Sequence, residues 1–186
     1  MIDSHISDIK WMKRAIYLAS LGKGRTSPNP MVGAVILDKN GNLISEGFHS
    51  KSGMPHAEAM AFNNLKKDAR DGTIYVNLEP CCHQGKTPPC VDKIISFGIK
   101  KVFVSIEDPD KRVSGKGIKL LKDAGIKVHL GLCEKESQEL NKSFIHRNIT
   151  DNAFGVMKWA MSMDGRVGLK NGKSKWITNK DSRSLV

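Results

Sequence analysis

The sequence predicts a layered α/β domain with a mixed sheet. Three observations carry that prediction. Residues 31–48 read as two strands joined by the tight turn Asp38-Lys39-Asn40-Gly41, hence an antiparallel hairpin. From residue 55 to 130 helical and strand-like patterns alternate, as they do where helices connect parallel strands. The 186 residues, 39% hydrophobic and 26% charged, suffice for one well-formed core and the beginning of a second.

Each element has its own signal. Residues 7–21 read as an amphipathic helix capped by Ser7 or Asp8, with Ile9, Met12, Ile16 and Ala19 at helical spacing. Gly22-Lys23-Gly24 ends it, and the rigid turn Ser27-Pro28-Asn29-Pro30 delivers Asn29 just before the strand Met31–Leu37. Leu43–Phe48 returns antiparallel. A helix is expected from about Pro55 to Lys67, a strand over Thr73–Leu78, and a helix from near Pro89 that carries Cys90. Lys101–Ile106 reads as a buried strand, Gly117–Ala124 as a helix and Ile126–Leu130 as the last strand. The core is thus expected to end near residue 132. Glu134–Asn148 reads as a polar linking helix, and Ala153–Ser162 as a new strand-like run. The resulting division is 1–132, 133–150 and 151–186.

Bulk properties narrow the function classes. The N-terminus lacks a basic region followed by an apolar run, and no stretch approaches the roughly 20 apolar residues that span a bilayer. A cytoplasmic address without membrane contact is the expectation. The net charge of +11 invites a nucleic-acid partner, but the excess is dispersed and no block of like charges occurs. It accords better with solvated lysines and a general preference for anions.

The chemistry concentrates in two places, His56-Ala57-Glu58 and Glu79-Pro80-Cys81 through Cys90. Three of the four cysteines fall within ten residues, a metal or catalytic pattern rather than a disulfide framework. One imidazole, His56, and two separated thiols, Cys81 and Cys90, make a three-donor zinc set with an open position, and Glu58 is a proton carrier beside it. A structural zinc site would use four protein ligands, and Cys82 or His83 could supply the fourth. His-x-Glu followed by Pro-Cys-x-x-Cys is the signature of zinc deaminases. Here eight residues rather than two separate Cys81 from the next ligand.

Ser27-Pro28-Asn29-Pro30-Met31-Val32-Gly33-Ala34-Val35, His56-Ala57-Glu58, Leu78-Glu79-Pro80-Cys81 and Gly85-Lys86-Thr87-Pro88-Pro89-Cys90 together resemble the bifunctional riboflavin-biosynthesis deaminase/reductases. The likeness covers nearly the whole chain. It implies a cytidine-deaminase-like three-layer α/β/α domain followed by the first elements of a reductase-like α/β domain. It also implies hydrolytic deamination of 2,5-diamino-6-ribosylamino-4(3H)-pyrimidinone 5′-phosphate, with Zn²⁺ on His56, Cys81 and Cys90 and Glu58 as proton shuttle. Asn29, His49, His83 and Lys86 match positions near the pyrimidine or its phosphate. Each has a plainer reading beside it: Asn29 as a turn residue, the histidines as surface side chains, Lys86 as a solvated charge. Asp108-Pro109-Asp110 stands where the family often has Asp-Pro-Asn, and no role is assigned to it.

Lys158-Trp159-Ala160-Met161-Ser162-Met163-Asp164-Gly165 and Ser174-Lys175-Trp176-Ile177-Thr178 resemble the opening of the reductase domain. By position Ala160 and Trp176 would touch NADP(H) and Ser174 the substrate. The nucleotide-binding body is not in this sequence, so reductase activity from this chain alone is not expected; a homo-oligomer or a separate reductase chain is the implied partner. Two other readings stay open: a tRNA adenosine or cytidine deaminase, which the basic charge suits, and a non-catalytic protein with structural zinc.

Overall fold

The computed structural model describes residues 2–83 and 88–184. Helix α1 (Ile2–Ser20) precedes the hairpin β1 (Gly33–Leu37) and β2 (Leu43–Phe48). Then follow α2 (Ala57–Asn63), β3 (Thr73–Leu78), α3 (Cys90–Ser96), β4 (Lys101–Ile106), α4 (Lys116–Asp123), β5 (Lys127–Leu130), α5 (Glu134–Leu140), α6 (Lys142–Ile149) and α7 (Lys180–Ser184). The five strands form one sheet in the order β2-β1-β3-β4-β5. β1 is antiparallel to both its neighbours, while β3, β4 and β5 run parallel, so the sheet is mixed as the sequence predicts.

Side-chain alternation along β1 explains the layers. Ala34 and Ile36 face a core built with Ala57, Phe62, Val91, Ile94 and Leu121 of α2, α3 and α4. Val35 and Leu37 face the other way, onto Met12, Ala15 and Leu18 of α1. All five β1 residues are buried, as a strand covered on both faces requires. Gly33 permits α1 to lie this close: a Cβ there would stand 2.1 Å from the Ala15 carbonyl oxygen.

The chain falls into two compact units, Met1–Asn152 and Ala153–Val186. Four elements of the first depart from the sequence reading, beginning with α1, which starts at Ile2, so that Ser7 and Asp8 lie inside the helix rather than capping it. α2 ends at Asn63 rather than Lys67, where the Asn64 N–H bonds back to the Met60 carbonyl and the polar Lys66-Lys67-Asp68 has no core to face. β1 starts at Gly33 rather than Met31, whose N–H is taken by a side chain, Asn141 Oδ1. The same residue breaks the single helix expected over Glu134–Asn148 into α5 and α6. In the second unit, the run 153–162 forms no strand. No partner strand among the described residues offers it a ladder, and a lone extended segment leaves its backbone groups to water. Apart from α7 the unit holds two small bonded turns, Ser162–Arg166 and Leu169–Lys173, and Met157, Trp159 and Trp176 are exposed. No helix among the described residues is long and apolar enough to cross a membrane.

Candidate active site

His56 occupies the N-cap position of α2 in extended conformation, which places Glu58 in the first helical turn. Unpaired N–H groups there favour a carboxylate. Cys81 follows β3 directly through Glu79-Pro80, and Cys90 opens α3 after Pro89. The two cysteines are drawn together by backbone bonds. Val91 N–H donates to the Cys81 carbonyl at 3.2 Å, and Cys90 N–H points at Cys81 Sγ at 3.4 Å. The second contact uses a free amide of a helix N-terminus to stabilise a thiolate.

The result is a compact donor cluster. Cys81 Sγ and Cys90 Sγ each lie 3.5 Å from His56 Nδ1, and the three donor atoms are all within 4.8 Å of one another. Tetrahedral zinc with ordinary Zn–N and Zn–S bonds sets such neighbours about 3.6 Å apart. The donor chemistry and the spacing therefore both fit zinc. Hydrogen bonding from the Cys90 thiol pulls Cys81 down to about 4, and Cys90 is pushed up correspondingly by that same bond and by burial. Burial pushes the Glu58 carboxyl up to about 7, with the Cys81 thiolate adding to the rise and His56 opposing it.

A cavity of about 290 Å³ opens above this floor, lined by His56, Glu58 and Cys81. Asn29 and His49 form one part of its wall and are bonded to each other, Asn29 Nδ2 to His49 Nε2 at 3.1 Å. His49 Nδ1 lies 3.0 Å from the Pro55 carbonyl, which can only accept. The ring proton is thus on Nδ1, Nε2 accepts from Asn29, and burial holds the imidazole in its neutral form. His83 also lines the cavity and is exposed, whereas Lys86 lies outside the described residues. Ala160, Ser174 and Trp176 belong to the second unit, where all three are exposed.

Sequence reasoning passed over two further parts of the wall. The first is Asp108, Asp110 and Arg112. Burial pushes the Asp108 carboxyl up to about 6, and the Arg112 guanidinium holds Asp110 down at about 2. Their position after β4 was a usable signal, because ligands of open α/β sheets sit beyond the carboxyl ends of parallel strands. The second part is Phe144, Arg147 and Asn148 of α6. No motif marked them, since the helix break that brings α6 here is a tertiary event.

One buried carboxylate organises the floor and the Asp108 wall. Glu79 Oε2 accepts from the N–H groups of Asp108 and Gly115 at 3.1 and 2.9 Å, and Oε1 from Ile118 N–H at 3.1 Å. It joins the end of β3, the loop after β4 and the first turn of α4. Gly117 lets α4 approach: a Cβ would lie 2.3 Å from the Pro80 carbonyl oxygen.

Known proteins resemble this chain in sequence and fold. The family described as "Cytidine and deoxycytidylate deaminase zinc-binding region" matches residues 5–106. The riboflavin biosynthesis protein RibD of Aquifex aeolicus is 47% identical over 96% of this chain and 50% of its own length. RibD of Escherichia coli is 42% identical over 97% of this chain and 49% of its own. A solved structure of the diaminohydroxyphosphoribosylaminopyrimidine deaminase/5-amino-6-(5-phosphoribosylamino)uracil reductase of Thermotoga maritima superposes with a TM-score of 0.91 at 43% identity. That match covers 98% of this chain and 52% of that one. The chain spans about half the length of the curated relatives it matches. It belongs to the cytidine and deoxycytidylate deaminase zinc-binding family, and within that family it is a homologue of the riboflavin-biosynthesis RibD proteins.

Proposed function

We propose that the first unit hydrolyses the exocyclic amine of 2,5-diamino-6-ribosylamino-4(3H)-pyrimidinone 5′-phosphate, releasing ammonia and leaving a uracil-type carbonyl. The observation that carries this reading is the buried Glu58 carboxyl on the floor of a cavity it shares with His56 and Cys81. His56, Cys81 and Cys90 would hold zinc, which when bound lowers the pKa of water to about 7 and so supplies a nucleophile at neutral pH. Glu58 is the carboxyl placed to move protons in both directions. As carboxylate it takes the first water proton and as acid gives it to a ring nitrogen; it then takes the second proton from the newly formed C–OH and gives it to the amine, which leaves as ammonia while the carbonyl forms. Cys90, buried beneath Glu58 and in contact with it, keeps bulk water from that exchange.

Asn29 is the first polar group we assign to the pyrimidine. Its Nδ2 is spent on His49, which fixes the amide plane and leaves Oδ1 as an acceptor for a ring N–H or amino group. His49 acts through Asn29, and His83 with Lys86 is assigned to the outer, anionic end of the substrate. We place the reaction in the cytoplasm, where thiols stay reduced and available to metal. The reductase assignment of Ala160, Ser174 and Trp176 rests on resemblance; it requires NADP(H) and the remainder of a reductase body, from a longer chain or a partner.

The test is ammonia release by the zinc-loaded protein from the pyrimidine phosphate, with cytidine and a tRNA as controls. Release from the pyrimidine phosphate alone is the expected result. Deamination of the tRNA in preference to it, or of none of the three, overturns the reading.

A further inference from the structure

The cavity wall contributed by α6 carries a cation that no carboxylate among the described residues engages. Phe144, Arg147 and Asn148 lie at i, i+3 and i+4, so they share one face of α6, and all three line the cavity. Two arginines border that cavity, and their situations differ. Arg112 is fully engaged by Asp110, its Nε 3.0 Å from both carboxylate oxygens and its Nη2 2.5 Å from Oδ2. Arg147 has no acidic partner among the described residues; its guanidinium lies over the Phe144 ring at 5.5 Å. Asn148 turns its amide back to the Phe144 carbonyl, 2.9 Å away, so it offers no counter-charge.

The charge balance of the rim follows. Asp110 is paired with Arg112, and Glu79 is enclosed by three backbone amides. Arg147 is left as the arginine of the described wall that no carboxylate engages. Its stacking on Phe144 limits the orientations of the guanidinium before any ligand arrives, and a planar fork matches two oxygens of a phosphate at once.

We propose that Arg147 is a specificity-determining cation of this site, adding a forked pairing with the phosphate of the ribosylamine side chain to the contact assigned above to Lys86. The inference rests on the deaminase reading for the identity of the ligand and on α6 for its geometry.

The test is equilibrium binding to the zinc-loaded protein of 2,5-diamino-6-ribosylamino-4(3H)-pyrimidinone 5′-phosphate and of the same compound without phosphate. The wild-type protein should prefer the phosphorylated form, and Arg147→Ala should reduce that ratio of affinities by about 10- to 100-fold, the worth of a charged hydrogen bond. Arg147→Lys should retain part of the preference, because charge survives and the fork does not. Arg147→Gln, which keeps the stem and the helix propensity, should behave like Ala and serves if Ala folds poorly. Lys39→Ala, on the exposed hairpin turn, should leave the ratio as it was. A wild-type protein without phosphate preference, or a preference that Arg147→Gln leaves undiminished, overturns the assignment. Ammonia release is followed in parallel: a protein that prefers the phosphate through Arg147 but releases no ammonia sinks the deaminase reading and leaves the Arg147 assignment standing.

Discussion

Asn141 holds Met31 by both of its backbone groups: the Met31 N–H donates to Asn141 Oδ1 at 2.8 Å, and Asn141 Nδ2 donates to the Met31 carbonyl at 2.9 Å. A side-chain amide here plays the part of a neighbouring strand. Asn77 of β3 continues the pattern, donating to the Met31 carbonyl and accepting from the Gly33 N–H. The segment that carries Asn29 is thereby tied to the break between α5 and α6, and so to the helix that bears Arg147.

Asn141→Ala should therefore do more than remove a buried side chain. It leaves the Met31 N–H without a partner, and we expect a loss of about 2–3 kcal/mol in unfolding free energy. Substrate affinity should fall as well, because Asn29 and α6 lose their common anchor. Urea denaturation and substrate binding on the same preparation check both effects. A variant that matches wild type in stability would mean that water replaces the amide.

Glu58→Gln preserves size and removes the proton carrier. Zinc content and thermal stability should be retained, with turnover down by at least about 10²-fold. Metal analysis alongside ammonia release reads both quantities from one sample. Near-wild-type turnover would exclude the proton-shuttle role.

The pH dependence of stability should carry a mark of Asp108. Its folded pKa, about 6, stands above the ordinary aspartate value, so the folded state binds the proton more tightly than the unfolded state. The stabilising contribution is complete below about pH 4 and is lost as pH rises through about 6. Asp108→Asn, which can still accept from the Asp110 N–H, should match wild type at pH 4. At pH 7.5 it should be more stable by on the order of 1–2 kcal/mol, after solvent screening is allowed for. Chemical denaturation at the two pH values measures the difference, and an equal offset at both would refute this account.

Gly117→Ala sets two effects against each other. Helix propensity alone predicts a gain of about 1 kcal/mol. The added Cβ, however, would meet the Pro80 carbonyl at 2.3 Å, and backbone cannot step aside cheaply. Contact should win, with a net loss of about 1–3 kcal/mol and weaker zinc binding, since Pro80 adjoins Cys81. Thermal unfolding and competition with a chromophoric chelator give the two answers.

The hairpin, the buried β3 and β4, and the His56–Glu58 and Cys81–Cys90 pairs were legible because each leaves a local trace: a short apolar run, a turn, or ligand types at helix starts. What stayed hidden depends on residues far apart in sequence. Glu134–Asn148 has the composition of one helix, and only the bond from Asn141 to Met31, 110 residues away, divides it. An acidic pair at Asp108 and Asp110 reads as hostile to an anion until Arg112 is seen clasping the second of them. Ala153–Ser162 is apolar enough to read as a strand, yet that composition expresses only a capacity to pair, and no strand among the described residues pairs with it.

The three amides gathered on Glu79 give the site a hinge pin rather than a chain of spacers. Gly115 and Asp108 are fixed to the same carboxylate, so the ends of the intervening segment are set whatever lies between them. Residues 109–114 can then vary in sequence, and even in length, without shifting Cys81 two positions beyond the pin. That separates what must stay constant for hydrolysis from what can change to admit a different ring substituent.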